Sequence, residues 1–402
     1  MRRISSCLLS ALIVPVFCFP GRAGEPIDRE LMEKARRLHD SAVVIDTHVD
    51  TPLMMAGRGL DICTLDDRGE VDLVRMGQGG LDAVFLAVFV SNEYDSLNPS
   101  KMALETIDVI HEQIGSCKQL AELAMTTGDI RRLHRAGKRA ILIGMENGGP
   151  VEGSLAMLRT YYRLGVRYIT LTHNSSNNIC DSSTDVPFWG GLSPFGVEVV
   201  AEMNRLGMMI DVSHISDDAF FDVLEHSTAP VIASHSAVRA LCDVPRNLSD
   251  EMLAALAAKG GVIQVVFYSG FLSKDFWDAS AEVRERLQPE FDRIAVETGG
   301  KNDEYYARAM PLWRSEIPEA PEIDLLIDHI DHIVSVAGID HVGLGSDYDG
   351  AGSFPKGLED ASGYPLITYH LLRRGYSEED ILKILGENTM RVFEKVEEAA
   401  SR

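Results

Sequence analysis

Short apolar runs recur along the chain, and amphipathic segments separate them. Runs such as Val262–Phe267 are apolar at nearly every position, which is typical of strands buried on both faces of a parallel sheet. Segments between the runs have helical periodicity, and several begin at a Ser or Asp and end near a Gly. The predicted strands are Ala42–Ile45, Ala83–Val90, Ala140–Ile143, Tyr168–Leu171, Met208–Val212, Val231–Ala233, Val262–Phe267 and Val342–Leu344. The clearest predicted helices are Ser154–Leu164, Gly196–Leu206, Asp217–Glu225 and Ser249–Lys259.

Eight strands that alternate with helices predict an α/β fold, a TIM-type (β/α)8 barrel. A doubly wound sheet is the alternative, but no Gly-x-Gly-x-x-Gly motif follows the first strand. The charged, aromatic-containing stretch Ser269–Pro321 lies between the seventh and eighth strands. We expect it to form a helical insertion over the barrel mouth, so that residues 24–402 make a single barrel domain.

The first 23 residues differ from the rest of the chain. Arg2 and Arg3 precede an apolar run from Cys7 to Phe19, and small residues around Arg22 suit a cleavage site. This pattern is typical of a secretory signal peptide and is too short for a spanning helix. The sequence therefore predicts an exported protein, periplasmic or secreted, and the residues before Cys18 argue against a lipid anchor there.

The remaining composition narrows the partners and the redox chemistry. Loss of the three arginines in the signal would move the net charge from −23 to −26, which opposes nucleic acid and anionic membrane as partners. No other segment is apolar enough to span a bilayer. Cys63, Cys117, Cys180 and Cys242 would remain, without a Cys-x-x-Cys motif, which argues against a structural zinc knuckle. Their three pairings stay open.

Six of the eight predicted strands lead into a His, Asp or Glu. In chain order these residues are His48 and Asp50, Glu146, His173, His214, His235 and Asp347. The carboxyl ends of barrel strands meet at one mouth, where the active sites of this fold lie. Imidazoles and carboxylates without clustered thiols suit zinc, and this number of ligands fits two ions better than one. A water bridging two such ions becomes a hydroxide near neutral pH, which predicts hydrolysis.

Other polar residues are assigned structural roles. His329 and His332 lie in the helical pattern Ile323–Val336, and we expect them at the surface or at an interface. Asp349 precedes Gly350 and is interpreted as a turn former. A buried, satisfied His is the plainer interpretation of His214 alone, but its position one βα unit before His235 favours metal ligation.

Seven motifs, in this order, resemble those of the membrane dipeptidases, also called renal dipeptidases. They are Val44–Asp50, Gly144–Gly148, Tyr168–Asn174, Asp211–His214, Ala233–Ser236, Pro245–Asp250 and Val342–Gly350. The resemblance extends over roughly Ala42 to Phe393. Animal members carry a C-terminal lipid-anchor signal that is absent here, so the chain is more similar to the soluble bacterial members.

The resemblance implies a zinc-dependent barrel enzyme that cleaves the peptide bond of dipeptides with two Zn²⁺ ions per chain. It implies that His48 and Asp50 hold one ion, that His214 and His235 hold the other, and that Glu146 bridges them. It also implies a homodimer.

The same resemblance assigns the residues around the metals. His173 would contact the substrate and the developing oxyanion, and Arg246 would pair with the terminal carboxylate, a geometry that suits a guanidinium. Asp347 would orient the bridging water or receive its proton, and we expect it also to take part in proton transfer to the leaving amine. Tyr268 is a candidate for the substrate pocket.

Two other function classes remain as alternatives. A binuclear amidohydrolase or phosphoesterase could use the same barrel, but the common amidohydrolase pattern has His-x-His on the first strand where this chain has His48-Val-Asp50. A zinc carrier or degenerate binding protein would be expected to have lost His173, Arg246 or Asp347, and all three are present. The preferred dipeptides are left open.

Overall fold

One parallel sheet forms the centre of the molecule in the computed structural model, which describes residues 27–92, 97–298 and 302–400. Its strands are β1 (Ile45–Val49), β2 (Ala83–Phe89), β3 (Ala121–Leu123), β4 (Arg139–Glu146), β5 (Val166–Thr170), β6 (Met209–Asp211), β7 (Ile232–Ser236), β8 (Val262–Val265) and β9 (Val342–Leu344). Eight of them are neighbours in the order β1-β2-β4-β5-β6-β7-β8-β9, while β3 pairs with β4 outside this path. The predicted TIM-type (β/α)8 barrel is confirmed.

The barrel closes where β1 meets the segment that follows β9. Val49 and Tyr348 form a parallel bridge. The Asp50 N–H donates to the Tyr348 carbonyl at 2.8 Å, and the Asp347 N–H donates to the His48 carbonyl at 3.0 Å. These bonds join the first and last barrel strands at their carboxyl ends, next to three of the predicted site residues.

The strands are buried on both faces, and the two faces belong to different clusters. The inner face contributes Ile45, Phe85, Leu142, Tyr168, Met209, Ile232 and Val262 to one cluster, together with Met390 and Phe393 near the C-terminus. The residues that alternate with these, such as Val84, Ile141 and Ile263, belong to the cluster formed with the surrounding helices. This arrangement produces the nearly continuous apolar runs in the sequence.

Helices surround the sheet and connect most of its strands. They are α1 (Arg29–His39), α2 (Thr51–Arg58), α3 (Leu73–Gly79), α4 (Pro99–Ser116), α5 (Thr127–Arg135), α6 (Leu155–Arg163), α7 (Pro194–Leu206), α8 (Asp217–His226), α9 (Asp250–Ala258), α10 (Ser269–Leu272), α11 (Lys274–Thr298), α12 (Asn302–Glu316), α13 (Asp324–Ala337), α14 (Tyr364–Arg373), α15 (Glu378–Leu382) and α16 (Asn388–Ala399). Ser193, Ser216 and Ser249 cap α7, α8 and α9 by accepting a backbone N–H with their hydroxyls. The four clearest predicted helices correspond to α6 through α9.

Several strand bounds differ from the prediction, and two of the differences have a clear cause. The first strand begins at Ile45 instead of Ala42 and continues to Val49, because its polar residues are buried and hydrogen-bonded inside the barrel. The short strand β3 is absent from the prediction. Its three residues, Ala121–Leu123, are too few to show a periodicity and include the charged Glu122.

The predicted insertion between the last two barrel strands is helical and comprises α10, α11 and α12. Within it, the Arg284 guanidinium of α11 lies over the Trp313 ring of α12 at 5.4 Å. Arg314 pairs with Glu70 at 2.7 Å, and Glu70 in turn contacts the turn after β9 through the Asp349 N–H at 2.9 Å. The insertion therefore lies against the segments that border the mouth.

Cys63 and Cys117 form a disulfide, whereas Cys180 and Cys242 are buried and unpaired. This resolves the pairing that the sequence left open. Within the described ranges, no helix combines the length and the apolar character that crossing a bilayer requires. The predicted signal peptide, residues 1–23, lies outside the described residues.

Candidate metal centre

Glu146, the last residue of β4, lies among three imidazoles at the barrel mouth. Its Oε1 atom is 2.9 Å from Nε2 of His214 and 3.5 Å from Nε2 of His235. Its Oε2 atom is 3.6 Å from Nε2 of His48, which is itself 3.5 Å from Oδ2 of Asp50. The two oxygens of one carboxylate therefore face two different groups of side chains.

The structure brings together all seven residues that follow the strand ends. They form three overlapping groups whose ligand atoms lie within 4.8 Å of one another: His48, Glu146 and His235; Glu146, His173 and His214; and His48, Asp50 and Asp347. Glu146 and His48 are each shared by two groups, so the geometry suits two neighbouring cations.

Hydrogen bonds behind His235 orient its ring toward this cluster. The Ser234 hydroxyl donates to Asp211 at 2.6 Å and lies 2.8 Å from Nδ1 of His235. Since the hydroxyl has one hydrogen and the carboxylate can only accept it, Nδ1 of His235 must be the donor to Ser234. The neutral ring then presents the lone pair of Nε2 to the cluster.

His48 is oriented in the same way, through its own Nδ1. The Tyr168 hydroxyl donates to the Thr47 carbonyl at 3.0 Å and therefore accepts the hydrogen of Nδ1 of His48 at 2.8 Å. The Tyr168 ring fits only because Gly144 lies beside it, since a Cβ there would stand 2.1 Å from the ring. A glycine two residues before Glu146 thus allows the contact that aims Nε2 of His48 at the same cluster.

Several buried polar atoms of the cluster have no hydrogen-bond partner among the described residues. They are Nε2 of His48, Oδ1 of Asp50 and Nδ1 of His214. Leaving such groups unsatisfied in a protein interior is costly. Nε2 of His48 and Oδ1 of Asp50 belong to neighbouring residues of the cluster, so one cation between them would satisfy both.

Burial and neighbouring charges set the protonation of the cluster. Burial would raise the pKa of Glu146, but the imidazoles around it outweigh this and hold its pKa well below the ordinary range. Burial holds the pKa values of His214 and His235 well below the usual value, with additional lowering by Arg246 and His48 respectively. Burial would lower the pKa of His48, but Tyr168, Glu146 and Asp50 outweigh this and raise it well above the usual value. The carboxylate of Glu146 beside the neutral rings of His214 and His235 is the protonation state that binds divalent metals, whereas His48 would have to release a proton on binding one.

Asp347 lies beside Asp50 in a turn that approaches the cluster closely. Its φ of 67° is in the left-handed region, as is the φ of 72° at His214, and such conformations in residues other than glycine concentrate at functional sites. Burial and the charge of Asp50 raise the pKa of Asp347 well above its usual value. A Cβ on Gly350 would stand 2.1 Å from Oδ2 of Asp50, so only glycine permits this approach.

Arg246 lies in the loop after β7 and is buried, with 4% of its surface exposed. Its Nη2 donates to the His235 carbonyl at 3.2 Å, whereas Nε and Nη1 have no partner among the described residues. Its guanidinium stacks over the Phe271 ring at 5.1 Å, and burial lowers its pKa to about 10. Two unused donors of a buried cation beside a candidate metal centre point to an anionic group of a ligand.

His173 and Tyr268 border the cluster on other sides. Nε2 of His173 is 3.9 Å from Oε1 of Glu146, and its ring packs between Phe89 at 4.8 Å and His214 at 4.4 Å. Tyr268 precedes α10 and packs edge-on against Phe271, the ring under Arg246, at 4.9 Å. His173 is partly exposed, so it can contact a bound molecule as well as the cluster.

The surface prediction for His329 is wrong. Its ring is fully buried, where its Nδ1 accepts the Val238 N–H at 3.1 Å and its Nε2 donates to the Leu272 carbonyl at 3.0 Å. His329 therefore links the loop that carries Arg246 to α10. His332 lies toward solvent and pairs with Asp250 at 2.7 Å. Asp349 does stand in the turn before Gly350, with a φ of 66°.

Sequence reasoning missed two buried aspartates behind the cluster. Asp46 accepts the N–H groups of His48 and Ser346 and the hydroxyls of Ser346 and Tyr364. Asp211 accepts the N–H groups of Ser213 and Ser234 and the hydroxyls of Thr170 and Ser234. The sequence did contain a pattern that could have identified them, because each aspartate interrupts an apolar strand two or three residues before a candidate ligand.

Comparison with known proteins places the chain in a family. The family model described as membrane dipeptidase (peptidase family M19) matches residues 32–402. Human dipeptidase 3 is 35% identical over 386 residues, which cover 93% of this chain and 69% of that protein. The dipeptidase verJ of Clonostachys rogersoniana is 33% identical over 390 residues, which cover 92% of this chain and 88% of that protein.

Solved structures have the same fold. The crystal structure of the probable dipeptidase PvdM from Pseudomonas aeruginosa has a TM-score of 0.80 and 32% identity, covering 93% of this chain and all of that chain. A metallo peptidase from Rhodobacter sphaeroides, solved with a phosphinate mimic of the dipeptide L-Ala-D-Ala, has a TM-score of 0.72 at 24% identity and is similar in fold. On the extent of these matches, the chain belongs to the membrane dipeptidase family, peptidase family M19.

Proposed function

We propose that this protein hydrolyses the peptide bond of dipeptides with two zinc ions bound at the barrel mouth. The observation that carries the proposal is the position of Glu146, whose two oxygens face Nε2 of His48 on one side and Nε2 of His214 and His235 on the other. The printed names of the most similar relatives, which are dipeptidases, support the substrate class.

The residues present fit a pair of zinc ions. His48 and Asp50 would hold one ion, His214 and His235 the other, and Glu146 would lie between them. Nitrogen and carboxylate donors without thiolates suit zinc, and the unsatisfied Nε2 of His48 and Oδ1 of Asp50 are atoms that a cation would satisfy. When bound, the two ions would supply a nucleophilic water near neutral pH and polarise the scissile carbonyl.

Arg246 would bind the terminal carboxylate of the dipeptide. Its Nε and Nη1 are buried and unpartnered, and a carboxylate can accept from both in the planar geometry that a guanidinium presents. Since Arg246 also donates to the carbonyl of His235, a carboxylate held there would lie next to the candidate metal centre. This fixes the substrate at one end and selects a free C-terminus.

His173 and Asp347 would act on the reacting atoms. The partly exposed ring of His173 is placed to stabilise negative charge on the carbonyl oxygen as the tetrahedral state forms. The pKa of Asp347, raised by burial and by Asp50, suits a group that takes a proton from the attacking water and returns it to the leaving amine.

We also propose that the protein is exported after removal of residues 1–23. The disulfide between Cys63 and Cys117 supports an oxidising compartment, because such bonds rarely persist in the cytosol. N-terminal sequencing of the exported chain tests this, and a mature protein that retained residues 1–23 would contradict it.

Replacing the bridging carboxylate tests the function directly. Glu146→Gln should fold normally but lower kcat for a neutral dipeptide by about a hundredfold or more, because the amide removes the charge shared by both cation sites. Bound metal per chain, measured by elemental analysis, should fall with it. Glu152→Gln, an exposed glutamate six residues later, is the matched control and should leave both unchanged.

Removal of the bound metal with a chelator provides a second test of the proposed function. A chelator should abolish hydrolysis by the unmodified protein, and zinc should restore it. Near-normal turnover in Glu146→Gln, or turnover that a chelator does not affect, would overturn the proposed function. Cleavage of other amides or of phosphoesters but of no dipeptide would assign the centre to a different hydrolase class.

A further inference from the structure

A cleft of about 340 Å³ opens beside the candidate metal centre, between the end of β8 and the insertion helix α11. Its lining includes Tyr268, Trp277, Ser280, Arg284, Glu285 and Gln288. Tyr268 is the only one of these that precedes the insertion, and the others lie on α11. The cleft is therefore built mainly by the insertion and not by the barrel strands.

The Phe271 ring connects this cleft to Arg246. One side of the ring lies under the Arg246 guanidinium at 5.1 Å. The same ring contacts Tyr268 at 4.9 Å and Trp277 at 5.8 Å, and both of these line the cleft. The cleft thus begins about one aromatic ring away from the guanidinium proposed to hold the C-terminal carboxylate.

Two polar groups in the cleft lack a hydrogen-bond or ion-pair partner among the described residues. The Ser280 side chain is 4% exposed, and its hydroxyl has no hydrogen-bond partner among the described residues. Arg284 contacts the Trp313 ring but forms no ion pair with a carboxylate of the described residues. Its neighbours on the insertion do form such pairs: Arg286 with Glu316 and Arg293 with Glu290.

The charge of Arg284 reaches the part of the cleft nearest the centre. Burial raises the pKa of the Tyr268 phenol, Arg284 lowers it and Asp347 raises it. The Tyr268 phenol is therefore close enough to both Arg284 and Asp347 to feel their charges. Glu285 also lines the cleft and adds a negative charge beside Arg284.

We propose that this cleft is the subsite for the side chain of the dipeptide's C-terminal residue, and that Arg284 makes it selective for an anionic side chain. The inference rests on the proposed dipeptidase function and names the substrate class of that site. The Tyr268 and Trp277 rings would pack against the methylene groups of a glutamate side chain. Arg284 would pair with its carboxylate, and the Ser280 hydroxyl would donate to it.

The test compares isosteric substrates. We would measure kcat/KM for Ala-Glu and Ala-Gln, with the second residue in both L and D forms, in the zinc-loaded protein. Because Arg284 is exposed and water screens its charge, the preference for Ala-Glu over Ala-Gln should be about fivefold. Arg284→Gln should bring the ratio of kcat/KM for Ala-Glu to that for Ala-Gln close to one. Arg284→Glu should make Ala-Gln the better of these two substrates, and it should cleave Ala-Lys better than either.

Arg286→Gln is the matched control, since Arg286 lies on the same helix and pairs with Glu316 at the surface. This variant should keep the ratio of the unmodified protein. A ratio that is the same in Arg284→Gln as in the unmodified protein would overturn the subsite, including the case in which every substrate slows equally. Failure of the unmodified protein to cleave any of the dipeptides, Ala-Ala included, would overturn the proposed function itself, so the two failures are distinguishable.

Discussion

Single hydroxyl groups decide which nitrogen of each imidazole faces the candidate centre. Ser234 stands between Asp211 and His235, and Tyr168 stands between the Thr47 carbonyl and His48. In both cases the hydroxyl donates its only hydrogen to another oxygen, so it accepts a hydrogen bond from Nδ1 of the histidine. Partners behind a ligand orient it and raise its basicity, and their loss typically weakens metal binding tenfold to a hundredfold.

Ser234→Ala should therefore weaken zinc binding by about tenfold to a hundredfold. Without the hydroxyl, Nδ1 of His235 loses its acceptor, and the ring is free to rotate or to adopt the other tautomer. Competition with a zinc chelator of known affinity measures the change. Ser227→Ala is the control, because it removes a buried hydroxyl that donates to the Ala229 carbonyl, outside the cluster. Equal zinc affinity in the two variants would contradict the role of Ser234.

The place of the candidate ligands at the barrel mouth was predictable at this scale, but the residues behind them were not. His48, Asp50 and Glu146 follow apolar strands, and that local pattern suffices to place them at the barrel mouth. Asp46 needs Ser346 and Tyr364, which lie about 300 residues further along the chain. Hydrogen-bond partners so distant in the chain leave no pattern in the sequence around Asp46. The sequence therefore showed an acidic residue in a buried strand but not the groups that it binds.

Helix α13 supports the mouth through one buried histidine. His329 accepts the Val238 N–H from the loop that carries Arg246 and donates to the Leu272 carbonyl at the end of α10. Three elements near the proposed substrate site are thus held by one neutral ring. The burial of His329 could have been predicted from the sequence. The residue is three positions after Leu326 and four before Ile333, on the buried stripe of the helix.

The His329 bonds predict a pH dependence of stability. Burial lowers the pKa of His329 to about 4, against 6.5 for an exposed histidine. Between these values the unfolded chain binds a proton that the folded chain does not, so stability should fall as the pH drops. The contribution is about 2 to 3 kcal/mol between pH 7 and pH 4.5.

The pH dependence of urea unfolding, compared between the unmodified protein and His329→Gln, isolates this effect. Glutamine can both donate and accept but does not titrate, so the stability gap between the two proteins should narrow or reverse as the pH falls. Parallel curves from pH 7 to pH 4.5 would show that His329 does not titrate with folding. The comparison cancels the carboxylates and other histidines that both proteins share.

At the scale of the whole molecule, the barrel was predictable because each buried strand is a visible apolar run. All eight barrel strands were found, and the short strand β3 was missed because it has only three residues, which pair with Arg139–Ile141 at the start of β4. The disulfide could not be chosen from the sequence, because it depends on α4 returning beside the segment after α2. Cys63 and Cys117 are 54 residues apart in the chain, yet their Cα atoms are 6.0 Å apart.

The disulfide should contribute substantially to the stability of this molecule. Closing a loop of 54 residues lowers the entropy of the unfolded chain by the equivalent of about 4 kcal/mol. The double variant Cys63→Ser/Cys117→Ser should lose about that much unfolding free energy, measured by urea denaturation. A reductant should destabilise the unmodified protein and leave the double variant unaffected. Equal stability of the two under oxidising conditions would contradict this.

The barrel closes between β1 and the segment after β9, so the candidate centre can form only after nearly the whole chain has been synthesised. The Ser346 hydroxyl and the His48 carbonyl that meet at this closure are 298 residues apart. A chain still emerging from a ribosome or a translocation channel has His48 and Asp50 long before it has Asp347. Such long-range contacts form late, after most of the chain is available. Zinc content would therefore report complete, correctly closed molecules, and a chain truncated before β9 would be recovered without a working centre.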